Sequence, residues 1–216
     1  MTDLLIFPFG GNAREAIASI RAINTNEPTW NILGFIDDGE SCHGDVMYEL
    51  PVLGGRERFA EFPDAAVLAV PGSPESFRQR PQLIAELGLP DSRFATIIDP
   101  SVRIGPGAEI GINTLIMANV VLSCSVRIGN HCVVLPNTVI SHDTQVDDFT
   151  LVGSNTSISG QCHIGRGCYI GSGAKVREQL TIGDGSLLGL GAVVVDSLPP
   201  GVVVVGNPAT VLRSTK

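Results

Sequence analysis

From Ile98 to Val194 every sixth residue is aliphatic without a miss, through Ile98, Ile104, Ile110, Ile116, Leu122, Ile128, Val134, Ile140, Val146, Val152, Ile158, Ile164, Ile170, Val176, Ile182, Leu188 and Val194. An α-helix recurs every 3.6 residues and a flat strand every two, so a sustained period of six belongs to neither and indicates a coiled β-solenoid. Two residues before each axial position the side chain is small or β-branched, as at Ala108, Thr114, Cys132, Thr138, Thr156, Cys162, Cys168 and Ala174, with Leu180 the one bulky exception. An aliphatic axis with small corners builds three short flat faces. The run then closes between five and six coils and stands about 27 Å tall at a strand spacing of roughly 4.8 Å. Glycine often follows the axial position, as at Gly105, Gly111, Gly129 and Gly153, where tight or positive-φ turns are expected.

The repeat starts near residue 98 of 216, which leaves room for a small domain before it. A division into 1–94 and 95–216 is expected. The formal charge of −8, with only 14 Lys and Arg, lacks the concentrated basic face that nucleic-acid binding needs. There is no apolar run of spanning length and no basic-then-apolar leader, so the expectation is a cytoplasmic protein without a membrane span. Cys42, Cys124, Cys132, Cys162 and Cys168 show no CxxC spacing, and three of them occupy corner positions of the repeat. They read as core filler, and no metal site is expected from them.

Before the repeat, Asp3 to Phe9 reads as a strand, Gly10 and Gly11 as a turn, and Ala13 to Ile23 as an amphipathic helix. Asn31 to Asp38 reads as a second strand ending in two carboxylates, Ala65 to Val70 as a third, and Ser76 to Leu87 as another helix. This order implies a small, mostly parallel α/β sheet of Rossmann type. Ligands of such sheets sit at the carboxyl ends of the strands, with phosphate at the helix N-terminus. Gly10, Gly11, Asn12, Ala13, Asp37, Asp38, Gly72 and Ser73 fall there.

The in-frame aliphatic-Gly-x4 pattern resembles the hexapeptide-repeat acyltransferases, whose fold is a left-handed parallel β-helix. Both the hand and an expected homotrimer come from that resemblance. An abbreviated Rossmann-like domain followed by such a helix is similar, over essentially the whole chain, to the bacterial nucleotide-amino-sugar N-acetyltransferases and the related sialic-acid O-acetyltransferases. The resemblance implies that the first domain carries a nucleotide-sugar on its glycine turn and D-D pair, and GFIDD matches the second element. The first departs from the family's G-x-x-G-H-G, reading PFGGNA, with Asn12 for the histidine and Ala13 for the last glycine.

His142, in SHDTQVDDF two positions past the axial Ile140, matches the family's catalytic histidine. An imidazole with a pKa near 6.5 suits removal of a proton from an attacking amine. Asp143 is the candidate to orient it, although neighbouring residues on a strand point to opposite faces. Acetyl-CoA is the implied donor, transfer is direct, and the implied cofactor contacts are Gly160, Ser172 and Leu190. Leu151 stands where the family carries a second histidine touching acetyl-CoA. The closing GNPA resembles the family's G-x-P-A, and Lys175, Arg177 and Arg213 are candidates for the coenzyme phosphates.

The leading expectation is an acetyl-CoA-dependent N-acetyltransferase acting on a nucleotide-linked amino sugar such as a UDP-4-amino-4,6-dideoxyhexose. The alternatives are O-acetylation of a sugar or sialic acid, a non-catalytic nucleotide-sugar-binding scaffold, and a metal hydratase on the same solenoid. The last requires three converging histidines, and His131, His142 and His163 occupy different places in the six-residue frame.

Overall fold

The computed structural model describes residues 1–215; Lys216, the end of the expected second domain, lies outside the described residues. The chain opens with strand β1 (Thr2–Phe7), helix α1 (Gly11–Asn26) and strand β2 (Trp30–Ile36). A hairpin of β3 (Val46–Met47) and β4 (Leu50–Gly54) follows, then β5 (Ala66–Ala69) and the short helix α2 (Arg80–Ala85). The sheet order is β3-β4-β2-β1-β5, with β1 parallel to both β2 and β5 and β2 parallel to β4. Side chains of β1 alternate as the pleat requires. Leu4 and Ile6 enter one buried cluster, and Leu5 and Phe7 the other.

Two elements differ from expectation. The β3–β4 hairpin carries Pro51 and Gly54 in five residues, and a run so short and broken has no legible period. The helix expected over 76–87 is a 3₁₀ turn at Phe77–Gln79 followed by α2, because Pro81 has no N–H to continue an earlier turn and is accommodated only at a helix start.

From Ile97 the chain winds as two-residue strands, each parallel to the strand eighteen residues on, such as Val139↔Ser157 and Leu151↔Tyr169. Three stacked faces result, a parallel β-helix of hexapeptide type. The axial residues from Ile116 onward are buried at 0–3% exposure, whereas Ile104, in the first coil with none above it, is 48% exposed. The other end is closed by Val202–Gly206, parallel to Leu187–Leu188, and by Ala209–Ser214 folded back antiparallel on it. The GNPA segment forms that turn, and the last strand was not anticipated.

The corners repeat one solution. Thr114, Thr138, Thr144 and Thr150 are buried, and each hydroxyl donates to a carbonyl fifteen residues on at 2.9 Å. Cys132, Cys162 and Cys168 occupy equivalent corners as expected, with burial pushing the Cys132 and Cys168 thiols up to about 12. The glycines after the axial position act differently from expectation. Positive φ falls instead two residues later, at Asn113, Asn119, Asp143 and Asn155 among others. A β-carbon on Gly105 would lie 2.6 Å from the Cys124 nitrogen, and one on Gly153 2.5 Å from the Ser172 nitrogen, so these glycines are required by close approach of the next coil.

The residues pointing outward distinguish the faces. One is apolar, with Ile97, Leu115, Val133 and Leu151 buried at 0–2%. It packs against Ala13, Ala16, Ile17 and Ile20 of α1 and, through them, against the sheet. A second is polar and exposed, with Glu109, Arg127, Gln145, His163 and Thr181. The third is mixed, with half-buried Val121, Ser157 and Val193 beside exposed Arg103, Val139 and Lys175.

Candidate active site

At the edge between the mixed and polar faces, strand Val139–Ile140 ends and the chain turns through His142 and Asp143. Asp143 takes φ 59°, a left-handed conformation that short polar side chains tolerate. The two residues therefore sit on a turn, and the opposite-face objection to their pairing, which applies to strands, does not hold. His142 Nδ1 lies 2.8 Å from Asp143 Oδ2. A carboxylate oxygen accepts, so this contact commits Nδ1 to Asp143 and leaves Nε2 as the ring nitrogen facing away from it.

That second nitrogen lies over Gly160, eighteen residues on. A β-carbon at 160 would come within 2.6 Å of Nε2 and 2.7 Å of Cε1, so the ring seats flat against the next coil only because position 160 has no side chain. Backbone bonds hold the three layers in register: Asp143 N–H to the Cys124 carbonyl at 3.0 Å, and Gln161 N–H to the His142 carbonyl at 2.8 Å. The imidazole is 55% exposed on this edge. Gly160 was expected only as a coenzyme contact; its seating of the ring follows from adding eighteen to 142.

Ser172 and Leu190 stack on a different edge, between the apolar and mixed faces, where Gly191 N–H donates to the Ser172 carbonyl at 3.0 Å. Leu190 is 80% exposed. Within one chain the mixed face separates these residues from His142 and Gly160. Lys175 and Arg177 are exposed on that face and Arg213 on the closing hairpin. Leu151 is 2% exposed in the layer beneath α1, beside Val133 and Met117. The apolar face demands a hydrophobic residue there, and Leu151 packs in the cluster that α1 covers.

The N-terminal candidates do gather at one end of the sheet. Asn12 Nδ2 donates to the Val70 carbonyl at 3.2 Å, tying α1 to the end of β5. Asp37 accepts the Phe9 N–H at 2.8 Å and the Gly39 N–H at 2.7 Å, which fixes the glycine turn against the end of β2. Asp38 is engaged by Arg56, whose Nη2 lies 2.6 Å from Oδ2; the Arg56 guanidinium holds this carboxyl below its usual range. Gly10 and Gly11 face open space. Helix α1 begins there with no side-chain cap and no acidic residue in its first turn, leaving N–H groups free for an anion. Ala13 is buried, while Gly72 and Ser73 are half-buried, and the Ser73 hydroxyl is 3.0 Å from that of Ser76.

A cleft of about 790 Å³ runs between α1 and the solenoid edge that continues to Ser172 and Leu190; Gly11, Arg14, Arg21, Tyr48, Pro136 and Ser154 line it. The other two histidines of the solenoid lie elsewhere, and His43 Nε2 is 2.8 Å from the Asp37 carbonyl. His131 is at the third edge, stacked 4.7 Å from Phe149, and His163 on the polar face is 2.7 Å from Asp147. Among the described residues no group of three His, Cys, Asp or Glu could hold a metal ion, and no helix is long and apolar enough to cross a membrane.

No curated protein matches the chain. Among solved structures, a variant of perosamine N-acetyltransferase from Caulobacter crescentus, in complex with CoA and GDP-perosamine, superposes with a TM-score of 0.84 at 23% identity, over 98% of this chain and 96% of that one. At that identity the likeness shows the fold. The acetyltransferase domain of PglB from Neisseria gonorrhoeae matches with a TM-score of 0.84 at 27% identity, over 98% and 100%. WeeI from Acinetobacter baumannii matches with a TM-score of 0.82 at 25% identity, over 98% and 100%. The family model described as the GMPPB C-terminal domain matches residues 94–210. With its hexapeptide frame and full-length likeness to acetyltransferases, the chain is an acyltransferase of the hexapeptide superfamily and belongs to the GMPPB C-terminal domain family.

Proposed function

We propose that the protein transfers an acetyl group directly from acetyl-CoA to the amine of a nucleotide-linked amino sugar, such as a UDP-4-amino-4,6-dideoxyhexose. The observation that carries this reading is the His142–Asp143 pair, with Nδ1 committed to the carboxylate at 2.8 Å and Nε2 held over Gly160. Nε2 accepts the proton of the amine as its nitrogen bonds to the acetyl carbon. Asp143 fixes the tautomer and stabilises the imidazolium that forms. The tetrahedral oxyanion collapses, the C–S bond breaks, and coenzyme A leaves as the thiol by taking the proton from the His142 imidazolium. The Caulobacter neighbour is a complex with CoA and GDP-perosamine, and a PglB domain was solved with acetyl coenzyme A; these support the donor and the acceptor class.

Residues 1–94 are read as a Rossmann-type nucleotide-sugar domain. The nucleotide lies at the carboxyl ends of β1, β2 and β5 with its phosphates toward the uncapped start of α1. The second unit, expected over 95–216, is read as the left-handed helix and its cap. The donor lies along the edge of Ser172 and Leu190, where small residues let a pantetheine arm approach the backbone. This edge and the His142 edge flank the mixed face, so a complete site needs a second copy. A cyclic homotrimer brings one protomer's His142 edge to its neighbour's Ser172 edge, burying Val121, Val139 and Val193.

A thiol-release assay with acetyl-CoA against a panel of nucleotide-amino-sugars tests the reading, with His142→Ala alongside. Turnover by the native protein and its loss in the variant are expected; an equal rate in both removes His142 as the base. Sedimentation equilibrium of the same protein is expected to return three times the chain mass, and a lone protomer would refute the shared site.

A further inference from the structure

The first residue of α2, Arg80, is completely buried. Its guanidinium donates to three backbone carbonyls: Pro71, just after β5; Phe149, from Nε at 3.1 Å; and His131, from Nη2 at 2.6 Å. Pro71 opens the loop that carries Gly72 and Ser73, whereas His131 and Phe149 belong to successive coils at the third solenoid edge. Its methylenes also set the loop's path. Gly72 has φ 132°, and a β-carbon there would lie 2.9 Å from Arg80 Cδ.

No acidic side chain pairs with Arg80 among the described residues. Burial draws its pKa down to about 10, which still leaves it charged at neutral pH. A buried cation without a carboxylate costs stability, and a hydrophobic residue of similar volume is often neutral or stabilising in such a place. Stability alone therefore gives no reason for a guanidinium here. What it uniquely supplies is a rigid planar fork that holds carbonyls from two parts of the chain at once.

The adjacent contacts point the same way. Asn113 of the solenoid both accepts the Ala69 N–H and donates to the Ala69 carbonyl, each at 2.8 Å, at the end of β5. Its amide also lies 2.9 Å from His131 Nδ1. The end of β5 is thus pinned to the column by Asn113, and the loop beyond it by Arg80.

We propose that Arg80 is a positioning residue for the nucleotide-sugar: it locks the Pro71–Gly72–Ser73 loop to the solenoid at the height where the substrate must lie to reach the acetyl-transfer edge. This rests on the function proposed above. Arg80→Lys keeps the charge but loses the fork.

Calorimetric titration with UDP, GDP and CoA, together with steady-state kinetics on the best-accepted amino sugar, provides the test. Nucleotide affinity is expected to weaken and the KM for the sugar to rise by at least about tenfold, the scale on which misplacement by a fraction of an ångström acts. CoA affinity should stay within about twofold, so that nucleotide and coenzyme binding separate. Arg80→Gln, which keeps a hydrogen-bond donor without burying a charge, should reproduce this split and serves if the Lys variant does not fold. Unchanged nucleotide binding in both variants, or equal losses for nucleotide and CoA, overturns the role of Arg80. A native protein that binds neither UDP nor GDP overturns the nucleotide reading itself, and Arg80 with it.

Discussion

The solenoid and the N-terminal unit solve the same problem, presenting a few polar groups on a rigid frame, by opposite means. In the solenoid every position has equivalents eighteen residues away, so chemistry shows as a break in a column. Cys124, His142, Gly160 and Glu178 occupy one stacked position, and only His142 carries an imidazole there. In the N-terminal unit nothing repeats. Its candidate site exists because the ends of β1, β2 and β5 converge and because Asp37, Asn12 and Arg80 tie their loops together. A repetitive frame makes a functional residue easy to locate and its partners computable by addition; a non-repetitive one hides both until the chain is folded.

The contrast is tested most severely at the break itself. His142→Ala is expected to lower turnover at least about 10²-fold, the usual scale for losing a general base, with little change in unfolding midpoint, since exposed substitutions typically shift stability by only about 0.5 kcal/mol. A parallel loss of stability would mean that the residue serves the frame.

The frame should behave in the reverse way. Ile158 is fully buried on the axis, and Ile158→Ala should cost about 2–5 kcal/mol in denaturant unfolding. Thr181→Ala, on the polar face of the same column, should stay within about 0.5 kcal/mol. Similar values for the two would refute the assignment of inside and outside.

An intermediate case is Gly160→Ala. Its methyl group displaces the His142 ring without touching the axis, so turnover should fall about tenfold while chemical unfolding stays nearly unchanged. A variant with native turnover would show that the seat is not needed.

The smallest effect concerns the seam between the two regions. His131 is stacked on Phe149 and meets the edge of Phe94, and burial lowers its pKa. The unfolded chain takes up a proton near pH 6.5 that the folded chain declines until lower pH. The unfolded state therefore binds more protons in that window, and stability falls as pH drops from 7 toward 5. His131→Asn suits the positive φ of 57° and should flatten that part of the melting-temperature profile. An unaltered slope would place the titration elsewhere.

Much of this was legible beforehand for physical reasons that differ along the chain. The period of six survives because every coil must fill the same axis, and the small corners because every coil must turn in the same space. His142 and Asp143 stood out as a motif, but their contact depended on a left-handed turn. The expectation that glycine supplies that turn misplaced it by two residues, since short polar side chains such as Asn and Asp are tolerated there. Leu151 was matched to the family's second histidine by position alone, and a local match says nothing about which face a helix covers. Asn113, Arg56 and Arg80 were not singled out at all: their partners are 44, 18 and up to 69 residues away and share no period with them.

By itself the sequence determined the column, its eighteen-residue coil and its buried axis, because those depend on spacing within a repeating unit where neighbours are set by arithmetic. Only the tertiary structure decided which face α1 covers, which candidate residues share an edge, and how a buried guanidinium joins the two regions. Those depend on packing between segments distant in the chain, where the energy comes from surfaces and carbonyls that meet only after both have folded.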